Sequence, residues 1–150
     1  MSRSKSRAAA RLAAVQALYQ HDMEGTHLAG LLDEFHRHRL GGEIDDEVDD
    51  TQYAEAEVAF FDDLVKGSIA RREEIDELLA GKLAEGWKLE RLDKTMLQIL
   101  RAGAYELLAR ADVSTGTAIS EYIDVAHAFF DARETKFVNG VLDAVAKAVR

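Results

Sequence analysis

Between Leu92 and Leu108 the chain is apolar around most of a helix circumference, and no other stretch limits the possible folds so strongly. Leu92, Met96, Ile99, Gly103 and Leu107 form one stripe at helical spacing, and Leu97, Leu100, Ala104 and Leu108 form a second beside it. Only Lys94, Gln98, Arg101 and Tyr105 make a polar strip. A helix of this kind needs neighbours on several sides, so the rest of the chain must supply helices to surround it. Gly103 costs about 1 kcal/mol of helix stability against Ala, which is tolerable where another helix must come close.

The 150 residues include no proline, which permits long uninterrupted helices, and no cysteine, which excludes disulfides and thiolate metal sites. No stretch has the length and apolarity of a membrane span or a signal peptide, so a soluble cytoplasmic protein is expected. The expected fold is all-α, a single domain over 1–150 with about seven helices.

The charge is uneven. Of a net −9, the first eleven residues contribute +4 through Arg3, Lys5, Arg7 and Arg11, so the remainder carries −13. A basic end on an acidic body suggests one local site for a polyanion. This basic arm, 1–11, leads into an Ala-rich helix carrying Leu12, Val15, Leu18, Tyr19 and Met23. Arg7 and Arg11 lie one turn apart and share a face, as side chains tracking successive phosphates would. Gln16 and Tyr19 add hydrogen bonding and a stacking ring, although Tyr19 can equally be an ordinary core-edge tyrosine.

Gly25 and Thr26 read as a helix stop and a new N-cap, followed by a helix with Leu28, Leu31, Leu32 and Phe35 on one face. Six acids fall within residues 41–50, so a solvated, flexible acidic loop is expected over about 40–52. The glycine and glutamate order of a calcium loop is absent there. A third helix is expected from near Tyr53, a fourth through Ile75, Leu78, Leu79 and Leu83, and a break at Glu85-Gly86-Trp87-Lys88. Trp87, the only tryptophan, is expected to cover the core edge rather than stack on a base. Ser114-Thr115-Gly116-Thr117 reads as a turn and cap before a sixth helix through Phe129 and Phe130, and Phe137 to Val149 as the last.

Signals of catalysis are poor. Phosphate-binding glycine loops, zinc-protease and serine-hydrolase motifs are all missing. His36 and His38 stand two apart, wrong for sharing a metal, and Asp62-Asp63 and Glu73-Glu74 read as solvated helix faces. The expectation is a binding protein with no cofactor and no enzymatic activity.

Taken in order, Ala14-Val15-Gln16-Ala17-Leu18-Tyr19, Trp87-Lys88-Leu89-Glu90-Arg91-Leu92, Ile99-Leu100-Arg101, Tyr105-Glu106-Leu107 and Lys136-Phe137-Val138-Asn139-Gly140-Val141-Leu142-Asp143 form a recognisable succession. It resembles the NusB family of bacterial transcription antitermination proteins over nearly the whole chain apart from the acidic loop. The resemblance implies two packed three-helix subdomains and binding of boxA-type single-stranded RNA in nascent ribosomal RNA transcripts. It implies NusE, a small-subunit ribosomal protein, as partner, within the antitermination complex of RNA polymerase. Arg7, Arg11, Gln16 and Tyr19 match the family's first helix and are the RNA candidates it implies, with Lys136 by analogy and Arg3 and Lys5 more loosely. Phe137, Val138 and Gly140 are expected to serve helix packing.

Three departures bear on this. Met96 stands where the family often has an acid, which touches the polar part of a NusE contact. Arg133-Glu134 replaces a common Asp-Ser pair, and Arg133 adds positive charge favouring RNA. Ser114 replaces a common proline, which is expected to loosen the turn. The rival readings are a helical adaptor that binds protein without touching RNA, and a stand-alone relative of the NusB-like domain of some ribosomal RNA methyltransferases.

Overall fold

The computed structural model describes residues 3–38 and 48–150. Among them are seven α-helices and no strand: α1 (Arg3–Glu24), α2 (Leu28–His38), α3 (Val48–Ala70), α4 (Arg72–Ala80), α5 (Lys94–Ala109), α6 (Thr115–His127) and α7 (Ala132–Val149), with a 3-10 turn at Leu89–Arg91 before α5. The chain divides into two compact units, Met1–Gly67 and Ser68–Arg150.

In the first unit the alanines of α1 explain its packing. Ala10, Ala13, Ala14 and Ala17 are buried, and side chains this small let neighbouring backbones approach. Gly25 ends the helix at φ +66°, its N–H bonded to the His21 carbonyl, a left-handed conformation that glycine adopts without strain. Thr26 is not the cap of α2, which starts two residues later. Its oxygens serve α1 instead, the carbonyl contacting His21 Nδ1 at 2.9 Å and the hydroxyl accepting from Gln20 Nε2. Gln20 also donates to Glu34 of α2 at 3.1 Å. Phe35 of α2 stacks on Phe61 of α3, ring centroids 5.5 Å apart, and His36 hydrogen-bonds Asp62 alongside.

Helix α3 begins at Val48, earlier than the expected start near Tyr53, so residues 48–52 are helical rather than loop. The expected acidic loop otherwise falls on 39–47, outside the described residues. The basic arm is likewise not a tail leading into a helix, because helix α1 already starts at Arg3.

The second unit is built around α5, against which α4, α6 and α7 pack. Every residue from Met96 to Leu107 is buried. The polar strip is therefore internal, except for Lys94. Arg101 donates two hydrogen bonds to Asp76 of α4, at 2.8 and 2.9 Å, and the buried Glu106 accepts from Tyr122 of α6 at 2.8 Å. At Gly103 an added Cβ would lie 3.0 Å from both methyls of Leu142, so the helix contact with α7 needs glycine there. Asp93 caps α5, its carboxylate accepting from the N–H groups of Thr95 and Met96.

Ser114 caps α6 by accepting from the Thr117 N–H, which holds the turn before the helix. The Arg150 guanidinium ties it down with bonds to the carbonyls of Leu107, Arg110 and Val113 and to the Thr115 hydroxyl. Helix α6 ends at His127, leaving Phe129 and Phe130 outside it. Asp131 must cap α7 in an extended conformation, so the chain has to leave helical geometry first.

Candidate nucleic-acid interface

Helix α1 carries most of the expected site, and its periodicity decides which residues face outward. Lys5, Ala9, Leu12, Gln16, Tyr19 and Met23 recur at intervals of four and three, which places them on one face. Along this row Lys5, Ala9, Tyr19 and Met23 are exposed and Leu12 and Gln16 half-buried. Tyr19 is 39% exposed and Met23 50%. At 1.5 Å per residue the row from Lys5 to Tyr19 runs about 21 Å. One end is cationic and the other aromatic, an order that suits phosphates at one end and a base at the other.

Arg7 and Arg11 do share a face, but that face is turned inward. Both guanidinium groups lie against the ring of Phe60 on α3, 4.6 and 5.0 Å from its centroid. Arg7 is half-buried at the margin of the row, whereas Arg11 is only 2% exposed. The expected pairing of Arg7 and Arg11 on successive phosphates is therefore corrected: Arg11 presents almost no surface to a ligand and is part of the unit's interior. Its burial is stabilised by the negative face of the phenyl ring. In the sequence Phe60 reads only as one of the apolar residues of the third helix, because a phenylalanine on such a stripe gives no hint that two cations will cover it. Arg3 opens α1, and its side chain lies outside the described residues.

In the second unit, Arg133 and Lys136 are exposed near the start of α7, three residues apart and so on neighbouring positions of one face. Asp131, the cap, accepts from the Arg133 N–H at 3.0 Å. A side-chain hydrogen bond with Glu134, followed by that of the Arg133 N–H, holds the Asp131 carboxyl below the usual carboxylate range. A negative charge is thus fixed next to Arg133 and offsets part of its attraction for phosphate. Phe137 and Val138 do pack, half-buried and buried respectively. Gly140 does not: it is exposed, and a Cβ built on it meets nothing within 4 Å. Met96, at the position of the family's acid, is 6% exposed and belongs to the core.

No group of three or more His, Asp or Glu side chains that could hold a metal occurs among the described residues, and no described helix is long and apolar enough to cross a membrane.

The NusB family model matches residues 8–147. The chain belongs to the NusB family. The transcription antitermination protein NusB of Novosphingobium aromaticivorans is 72% identical over 146 residues, 97% of this chain and 96% of the relative. Among solved structures, NusB of T. maritima superposes with a TM-score of 0.76 at 29% identity, covering 98% of this chain and 92% of that one. A chain from the crystal structure of antitermination factors NusB and NusE in complex with double-stranded RNA gives 0.74 at 28% identity, covering 96% and 98%. These likenesses fix the all-helical NusB fold; the start of α7 and the α1 row from Ala9 onward lie within the residues matched by the family model, and Lys5 and Arg7 just precede them.

Proposed function

We propose that this chain is a transcription antitermination factor that binds RNA together with NusE, acting in the cytoplasm by binding rather than catalysis. The supporting observation is the outward row of α1, where Lys5, Gln16 and the exposed Tyr19 share one face of a member of the NusB family, with Arg7 at its edge. Lys5 and Arg7 attract phosphates, Gln16 reaches base edges and Tyr19 stacks. Arg133 and Lys136 form a second cationic patch for the same ligand class, and Arg11 supports the first from inside. The preferred ligand in this reading is a boxA-type single strand in nascent ribosomal RNA, delivered to RNA polymerase through the NusE partner. A chain of net −9 needs its cations concentrated, and gains from a basic partner, to hold a polyanion.

The test is binding of boxA-type RNA, single-stranded and as a duplex, with and without NusE, across a salt titration. The reading requires tighter binding of the single strand, strengthened by NusE and weakened in Arg7→Ala and Tyr19→Ala. Capture of a protein partner that resists nuclease, with no RNA contact in any arm, favours the helical adaptor instead.

A further inference from the structure

The most exposed large apolar side chain among the described residues is Trp87, at 58%. The reading as a cover for the core edge holds only for the face turned to Phe137; the rest of the indole is open. An indole left this open forgoes much of the free energy its burial would supply, and its position is nonetheless fixed. Gly86 turns the chain at φ +88°, and the Trp87 N–H bonds the Ala84 carbonyl at 3.0 Å. Lys88 is extended, and the following 3-10 turn runs into the buried Leu92 and the capped start of α5. On its inner side the indole rests on Phe137 of α7, ring centroids 6.2 Å apart and planes tilted by 36°.

The surroundings of that pair are cationic and open. Arg133 lies one turn before Phe137 on the same row of α7, and Lys136 is its chain neighbour; both are exposed, as is Lys88 beside Trp87. Two acids stand at this end of α7, the half-buried Glu134 and the exposed cap Asp131, which offsets part of the pull of Arg133 and leaves Lys136 and Lys88 as the stronger cations. Asn139 is exposed, and Gly140 after it leaves the helix backbone open to close approach. Glu85 and Glu90, two residues before and three after Trp87, are exposed acids on the same stretch.

We infer that Trp87, braced by Phe137 and flanked by Lys88, Arg133 and Lys136, is a stacking platform for an unpaired RNA base. This rests on the RNA-binding reading and adds to it a second aromatic contact, in the second unit. The platform offers one exposed ring system with cations around it, which matches a nucleotide: a planar base on the indole and its phosphates on Arg133 and Lys136. A protein partner would need several hundred Å² of complementary surface, and the only other exposed large apolar side chain in this unit is Phe129.

Because Trp87 is the only tryptophan, its fluorescence reports this site alone. The full chain is titrated at low salt with an end-labelled boxA-type single strand, reading label anisotropy and Trp87 emission together. Stacking quenches the emission, with the same midpoint as the anisotropy change. Trp87→Ala weakens binding about ten-fold, the scale of one stacked base, and Trp87→Phe keeps most of the affinity. Lys136→Ala weakens binding yet leaves quenching at saturation intact. RNA binding with unchanged Trp87 emission, and a folded Trp87→Ala chain that binds like the parent, overturns the platform and leaves the α1 reading standing. Absence of any RNA binding overturns both.

Discussion

Arg7 and Arg11 show how far one helical turn separates two roles. Both guanidiniums rest on Phe60, but only Arg7 retains solvent access. Arg7→Ala is expected to weaken RNA binding with only a small change in stability. Arg11→Ala removes a large, almost fully buried side chain and should cost on the order of 2–4 kcal/mol in a urea melt; a melt unchanged by that substitution would show the burial to be dispensable. Glu57, three residues before Phe60 on α3, is 6% exposed, and desolvation raises its carboxyl above the usual range. The folded state therefore holds this proton more tightly than the unfolded chain does. Its penalty is absent below the unfolded carboxylate value and grows as pH rises through the raised folded value. Glu57→Gln should accordingly raise the melting temperature at pH 7, and the gain should vanish as the pH is lowered past the unfolded value. A gain that persists unchanged at acid pH would assign the effect to packing instead.

At the scale of the helix, two glycines with the same propensity cost have opposite surroundings. A Cβ at Gly103 meets Leu142, itself fully buried, on two methyls at 3.0 Å, with Tyr122 at 3.4 Å. Overpacking of roughly 1–3 kcal/mol exceeds the gain of about 1 kcal/mol in propensity, so Gly103→Ala should destabilise. Gly140→Ala has open space and should stabilise by about 0.5–1 kcal/mol. Equal melting temperatures for the two variants would refute the argument. The sequence foretold the first glycine because the stripes of Leu92 to Leu108 demanded close neighbours. It misassigned the second because a glycine among Phe137, Val138 and Val141 looks like a packing residue until the helix phase is known. The same limit applies to the polar strip of α5: spacing shows that Gln98 and Arg101 share a face, but Asp76, the partner that lets Arg101 be buried, lies 25 residues away. Apolar periodicity was therefore a good guide to which helices exist, and a poor one to which polar side chains face water.

For the molecule as a whole the governing quantity is charge, since a chain of net −9 is proposed to hold a polyanion. Local cations then act by displacing counterions from the RNA, and each phosphate contact on a single strand contributes about 0.7 to the slope of log K against log salt. Stacking contributes affinity without that dependence. The two kinds of residue should separate on one plot. Arg7→Ala and Lys136→Ala should each lower the slope by about 0.7, while Tyr19→Ala should weaken binding about ten-fold along a parallel line. Adding NusE should raise affinity at every salt concentration, and steepen the line if its own cations reach the RNA. Binding insensitive to salt, or a slope that survives loss of both cations, would mean that the basic residues of α1 and α7 do not meet phosphate. The compensation of −9 would then have to come from the partner alone.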